Sequence, residues 1–572
     1  MGRDQLHPFQ WQVGPQASNE TRLLERRLRF AFWLVGILLA TMQAWAYRHY
    51  ISADGISYLD LSDAVLPGTD WRRIITGTWS PLYPLLLGLC RLLSPDPYRE
   101  VIVGHFCNIL IFLFAFAAFE YFFRSLMPEQ PDSPGQDMVL PRWMYLTVAY
   151  TLFLWAAIGQ ITLRSLRADM LMAAFLLLAM GILCRIRGRS GTWATFFALG
   201  IALGLGYLTK TPMLLIGSLM IGSTLFLSQE WVRTLPKAGL AASLLLAIGS
   251  LYFVPLSQMR GHLTFGDSGK LNYLLYVDGA EPQWYLQRMG QGSGEPLHRA
   301  TRLFEQPPVY KFSIDKPVSH PMRYDPAYWV EGVNPRFSFS GQIHILVVNL
   351  KHYLGITRSA WAVIAAVLLL WYLSGSARRV MSGLMGQWPE WFIGLSGLAM
   401  YVLVHVERRY VGVFFLLAWI GLLIWSKIPH GKHKFVAPAV AIVVAASVLV
   451  PLAWSAALDL GRTRHESDVG ANVAKELAAL GVHPRDKIAR ISPMVNDYVW
   501  VHMLRATIVT EVDIQHTEEF WSASPDRQDE ILRTMAGTGA RIVVAHIATR
   551  PMPPDWQRLG TTPFCIRWLN RA

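Results

Sequence analysis

The chain has 572 residues, of which 53% are hydrophobic and 16% charged, with a formal net charge of +13. Its mean hydropathy is +0.30. Soluble globular chains carry roughly 25% charged residues, so these figures exclude a disordered protein, a disulfide scaffold and an ordinary cytosolic enzyme. They indicate a polytopic membrane protein with some water-facing mass. The basic excess does not point to nucleic acid as a partner, because Lys and Arg of membrane proteins collect in cytoplasmic loops. Of the four cysteines, Cys90, Cys107 and Cys184 sit in apolar stretches and Cys565 stands alone near the C-terminus, so no disulfide framework is implied.

The first apolar run follows Arg22, Arg26, Arg27 and Arg29 and lacks a cleavage site. It reads as a retained span anchored in the cytoplasm. A helix needs roughly 20 apolar residues to cross the hydrocarbon. Such runs lie near 30–47, 102–123, 143–158, 169–184, 193–208, 213–228, 238–256, 360–375, 389–405, 411–426 and 435–456. That gives about eleven transmembrane helices, an α-helical membrane protein. The run 81–93 is too short and is expected to be interfacial or re-entrant. With segment 1–29 in the cytoplasm, basic clusters fall on one side at every return: Arg124 and Arg142; Arg185, Arg187 and Arg189; Arg233 and Lys237; Arg378 and Arg379; Lys427, Lys432 and Lys434. This threading puts the segment 48–80, a long loop 258–358 and the tail 460–572 on the outer side.

The tail changes character. Residues 466–480 have helical spacing, and 487–491, 505–510, 541–545 and 564–568 read as short strands. Residues 526–535 form an amphipathic helix candidate. Together they predict a small water-facing α/β domain over 460–572, without a Gly-rich phosphate loop. The loop 258–358 is rich in Gly, Pro, Tyr and Trp, which suits either sugar stacking or the membrane interface.

Chemistry concentrates at the outer boundary. Directly after the first span come Asp54, Asp60 and Asp63, the last two on one face if the segment is helical. The plainest reading is that Asp54 caps a short helix and the others lie on its solvated face. Arg164, Arg167 and Asp169 open the fourth span, and Lys210 ends the fifth. Basic groups there oppose the positive-inside trend and need partners or a function. Arg164, Arg167 and Lys210 can clamp a phosphate, or Arg167 or Lys210 can pair with Asp169. Glu407, Arg408 and Arg409, between the ninth and tenth spans, form either an interfacial ion pair or a further phosphate contact. Tyr58, Trp79, Tyr83 and Glu407 are the candidate sugar or acceptor contacts. A carboxylate that accepts a proton and a basic cluster that holds a leaving phosphate are what transfer from a lipid-phosphate sugar requires.

The stretches DGISYLD, DW at 70–71, SPLYPLLLG, LRSLRAD, GLGYLTK and VERRY occur in this order. In them the chain resembles the GT-C membrane glycosyltransferases, in the branch of the protein O-mannosyltransferases and the lipid A aminoarabinose transferases. The resemblance covers roughly 25–230 and is mainly topological beyond. It implies a GT-C-like domain over 30–456, with 48–80 as active-site loop and Asp54 as the acidic residue of the site. Many relatives have two adjacent acids, where this chain has Gly55. Some have Glu-Lys before the loop's Pro, where it has Trp79 and Ser80. The departures count against a two-carboxylate metal site. Asp60 is the candidate for the missing acid, and a divalent metal ion stays open as a cofactor.

The expected protein is a bacterial inner-membrane glycosyltransferase. A polyprenyl-phosphate sugar is its donor, and an envelope lipid, glycan or protein is its acceptor. Asp54 would act as the base or the acceptor-positioning acid, with Asp60 in support, and Arg164, Arg167, Lys210, Arg408 and Arg409 would hold phosphate. A glycolipid transporter would spread polar groups through its spans. A non-catalytic assembly protein would leave the acidic and basic groups without a purpose.

Overall fold

A computed structural model describes residues 19–127, 140–187, 191–228, 230–279, 294–312, 318–386, 388–423, 432–462, 468–547 and 551–569. Arg189 and Lys427 of the expected basic clusters lie outside them. The chain begins with α1 (Asn19–Ala46), the short α2 (Ala53–Ser62) and α3 (Leu82–Arg91), then α4 (Glu100–Leu126) and α5 (Arg142–Leu154). A wide π-type coil continues α5 over Trp155–Ile161. There follow α6 (Asp169–Arg185), α7 (Trp193–Thr209), α8 (Pro212–Leu227), α9 (Trp231–Arg260) and α10 (Ser268–Tyr276). Two single turns, α11 (Pro321–Tyr324) and α12 (Pro326–Trp329), precede α13 (Phe339–Arg358), α14 (Trp361–Leu373), α15 (Ala377–Gly386), α16 (Trp388–Val402), α17 (Arg408–Leu423) and α18 (His433–Arg462).

Among the described residues, five helical stretches are long and apolar enough to cross a membrane: Asn19–Ala46, Pro97–Leu126, Arg142–Ile161, Trp231–Arg260 and Lys434–Gly461. α13 and α14 pass the same test together but meet at an 81° bend. The other expected spans coincide with α6, α7, α8, α16 and α17, which have 17, 17, 16, 15 and 16 residues. Several of these end at the charged loops, where Asp169 starts α6, Lys210 caps α7 and Arg408 starts α17. With ten residues, α3 is about 15 Å long, short of the roughly 30 Å hydrocarbon.

Close helix contact sets where these charged ends meet. A Cβ on Gly397 of α16 would lie 2.1 Å from the Phe414 ring of α17. Only hydrogen fits there, so the two axes pack tightly and fix the start of α17. Deeper in the bundle, Phe119 stacks on Phe153 at 4.7 Å, and Tyr150 meets Phe119 edge-on at 5.0 Å.

The tail carries α19 (Val469–Ala479), α20 (Val499–Met503), α21 (Thr517–Ser522) and α22 (Pro525–Ala536) around a sheet. Its strands are β1 (Thr301–Phe304), β2 (Val309–Lys311), β3 (Lys487–Ile491), β4 (Thr507–Val512), β5 (Ile542–His546), β6 (Gln557–Arg558) and β7 (Phe564–Trp568). The order is β1-β2-β4-β3-β5-β7-β6, with β3 parallel to both β4 and β5. The four strands read from the tail sequence are therefore present, with β4 displaced by two residues. The long loop differs from its sequence reading. Its hairpin β1-β2 joins the tail's sheet, with Tyr310 paired antiparallel to Glu511. Val309 and Tyr310 are buried there, so the hairpin covers what would otherwise be an exposed edge of β4.

A buried ion network fastens the tail to the helical part. His502 of α20 places Nδ1 2.6 Å from Asp60 and Nε2 2.7 Å from Glu100. Arg91 of α3 reaches Asp63 at 2.8 Å and Glu100 at 2.6 Å. Arg505 pairs with Glu100 and lies 3.5 Å from Asp63. The Arg91, Asp63 and Glu100 side chains are 2%, 8% and 5% exposed, so removing one partner strands a buried charge. Arg91→Ala is expected to destabilise the fold by about 3–5 kcal/mol. The thermal midpoint of the detergent-solubilised chain should fall clearly, while Arg233→Ala, at an exposed helical pair, should leave it nearly unchanged. Equal midpoints would contradict the network's role.

Candidate active site

Ser52 stops the chain in an extended conformation (φ −87°, ψ 166°), and its Oγ accepts the Gly55 N–H at the start of α2. The same hydroxyl lies 2.7 Å from Ser165 Oγ. Ser52, and not Asp54, is thus the cap of the helix. The Asp54 carboxylate is left in the first turn, where the positive end of the helix favours its charge. Its Oδ2 accepts from Arg409 Nη1 at 3.2 Å, and the side chain is 34% exposed. Asp54 Oδ1 has no protein partner among the described residues.

Arg409 is the hub. Its Nε donates to Glu407 at 2.5 Å and its Nη2 to the Tyr410 hydroxyl at 3.0 Å. Nη1 also lies 3.7 Å from Asp169, whose side chain is 2% exposed. Lys210 Nζ pairs with the other Asp169 oxygen at 2.5 Å and sits 3.8 Å above the Tyr410 ring. Arg167 stands within electrostatic reach of Asp169. Its Nε is buried with no hydrogen-bond partner. Burial alone would raise the Glu407 carboxyl, but His405 and Arg409 hold it well below the usual range. The His405 ring stacks on Tyr276 of α10 at 3.7 Å with a 2° tilt. The long loop therefore closes one side of the site.

The structure brings Asp54, Arg167, Lys210, Glu407 and Arg409 together. It places the other sequence candidates elsewhere. Arg164 donates to Asp459 of α18 at 2.7 and 3.1 Å and to Ser455 at 2.8 Å. Arg408 is exposed at the start of α17. Asp60 is buried, accepts from Ser319 N at 3.0 Å and Ser319 Oγ at 2.5 Å, and faces His502. Tyr58 packs between Trp79 (5.0 Å) and Tyr83 (4.9 Å). Tyr83 is fully buried and donates to Asn108 at 2.8 Å, and Trp79 Nε1 donates to the Tyr324 carbonyl at 3.0 Å.

Sequence reasoning weighed Asp169 only as an ion-pair partner, and it missed Tyr276 and Tyr410. The LRSLRAD and VERRY stretches carried the signal for Asp169 and Tyr410. Nothing local in the sequence marks Tyr276.

The residues present do not fit a divalent metal. Asp54, Asp169 and Glu407 are each paired with Arg409 or Lys210. At the position of the second acid in relatives, a Cβ on Gly55 would meet Ile51 at 2.7 Å and Leu166 at 3.4 Å. Among the described residues no group of three or more His, Cys, Asp or Glu is arranged to hold a metal ion.

No protein-family model matches the chain, and no curated protein sequence does. Among solved structures, it is similar to ArnT from Cupriavidus metallidurans bound to undecaprenyl phosphate. That alignment has a TM-score of 0.54 at 11% identity and covers 95% of this chain and 98% of the other. ArnT in the apo state aligns at TM-score 0.41 and 12% identity over 94% and 97% of the two chains. The Archaeoglobus fulgidus oligosaccharyltransferase in complex with Zn and sulfate aligns at 0.42 and 12% over 90% and 68%. Along nearly its whole length, this chain has the fold of ArnT.

Proposed function

We propose that the chain transfers a sugar from a polyprenyl-phosphate donor to an envelope lipid, glycan or protein. The reaction takes place on the outer face of a bacterial inner membrane crossed by about eleven helices. The observation that carries the reading is the single cluster in which a partly exposed Asp54 shares Arg409 with Asp169 and Lys210. ArnT's bound undecaprenyl phosphate supports the donor class. A transporter is disfavoured because these charges gather at one boundary.

In this reading the acceptor hydroxyl or amine gives its proton to Asp54 Oδ1 as its oxygen or nitrogen bonds to the anomeric carbon. The bond from that carbon to the phosphate oxygen breaks, the phosphate keeps the electron pair, and the configuration inverts. Arg167 meets the departing charge with its unpartnered Nε. Lys210 and Arg409 turn from Asp169 toward the phosphate, and Asp169 returns them when the product leaves. Tyr276 lines the sugar side. Arg164 serves by tying the 162–168 segment to α18, and Arg408 meets the headgroup from the water side. Asp60 supports Asp54 through α2.

Purified Asp54→Asn chain is expected to lose about 10²–10⁴-fold in transfer rate while still binding polyprenyl phosphate. Near-normal turnover would contradict the role. Asp169→Asn removes the anion that occupies Lys210 and Arg409. Its thermal midpoint should fall, and inorganic phosphate should raise that midpoint more than it raises the wild type's. An equal phosphate response in both proteins would contradict an anion site at this pair.

A further inference from the structure

The tail's His502 has an unusual pair of neighbours. Both ring nitrogens face a carboxylate oxygen, Asp60 at 2.6 Å and Glu100 at 2.7 Å, and the side chain is 1% exposed. A neutral imidazole has only one N–H to give. Two carboxylate acceptors therefore demand two donors, and the ring sits here as imidazolium. Burial and the nearby Arg505 work against that charge, but Glu100, Asp63 and Asp60 outweigh them, so the group is held above the ordinary histidine range. The charged groups around it form a closed set. Asp60, Asp63 and Glu100 face Arg91, Arg505 and the protonated His502. Loss of the His502 proton leaves this buried set with one uncompensated negative charge.

The set grips the far end of the ten-residue helix that presents Asp54. At its near end α2 is held by Ser52 against Ser165, and in its middle by Ser57 Oγ donating to the Arg323 carbonyl at 2.8 Å. Asp60 and Asp63 supply a further anchor, and Asp60 receives it from His502 of the tail together with Ser319 of the long loop. We infer that His502 is a positioning residue of the transfer site, acting through Asp60 and α2 to hold Asp54 against Arg409. The tail is then a working part of the site. This inference rests on the transfer reading proposed above. Its sign follows from the charge. A group whose pKa is raised by folding stabilises the docked state below its unfolded value, and that contribution is lost as pH rises through the folded value.

The test uses the full-length chain in proteoliposomes, with polyprenyl-phosphate sugar from a bacterial lipid extract, from neutral to alkaline pH. Wild type should lose kcat on an alkaline limb above the ordinary histidine range. At neutral pH His502→Gln should lower kcat about tenfold or more with little change in KM. His502→Lys, whose ammonium can donate to both carboxylates, should recover kcat to within a few-fold and lose the limb. Wild-type kcat and an unchanged limb in His502→Gln would overturn the inference. If His502→Gln does not elute as a folded species, Glu100→Gln reads the same contact from the membrane side. Its limb should move to lower pH by about one unit, and an unmoved limb overturns the inference.

A wild-type chain that transfers nothing at any pH overturns the transfer reading instead. The clasp is then read by protease protection of the tail in detergent. Protection should end at alkaline pH in wild type and persist in His502→Lys. Protection that does not depend on pH in either protein overturns the clasp as well.

Discussion

A charge at the edge of the hydrocarbon has to be paired, because water is scarce there and the desolvation penalty is several kcal/mol per ion. The end of this helix bundle that holds Asp169 is organised by that requirement. Asp169 is almost fully enclosed, so Lys210 from α7 and Arg409 from α17 converge on it. Arg409 in turn draws Asp54 from α2 and Glu407 from the preceding turn. Helices far apart in sequence are thereby brought to one point. In the transfer reading proposed above, an arriving phosphate replaces a carboxylate partner that is already in place. Arg167, with a buried and unpartnered Nε, lacks even that substitute.

The second network obeys the same rule with another purpose. Asp60, Asp63 and Glu100 leave the helical part negative where the tail docks, and the tail supplies His502 and Arg505 to answer them. The tail's sheet also takes in β1 and β2 from the long loop. The same loop sends Tyr276 onto His405 and Asp325 onto the 77–78 turn, where it accepts from Gly77 N at 3.1 Å and Thr78 Oγ1 at 2.9 Å. Burial raises the Asp325 carboxyl against the pull of Arg260. Loop, tail and the 48–80 segment are therefore linked into one assembly.

Much of this was legible in the sequence, and the reasons are physical. Apolar runs and the short strands 487–491 and 564–568 carry their signal locally, as hydropathy and β-branched residues. The positions of Asp54, Arg167, Lys210 and Arg409 were legible because charges at an outer boundary are conspicuous. Which charges meet was not legible, since pairing depends on packing across the bundle. Arg164 and Arg167 are three residues apart, yet Arg164 turns to Asp459 while Arg167 stays with the Asp169 cluster. Asp54 and Asp60 were both read as site carboxylates of one short helix, Asp60 in support of Asp54, and their partners divide them. His502 and the β1-β2 hairpin carried no local signal, because each matters only through a contact hundreds of residues away in sequence.

The most direct test of the central claim is a mass-spectrometric profile of lipids from cells lacking this chain and from cells carrying Asp54→Asn. The account predicts that both accumulate the same polyprenyl-phosphate sugar, absent or scarce in wild type. If the deletion changes the glycolipids while Asp54→Asn matches wild type, Asp54 is not at the reacting centre and the account is contradicted.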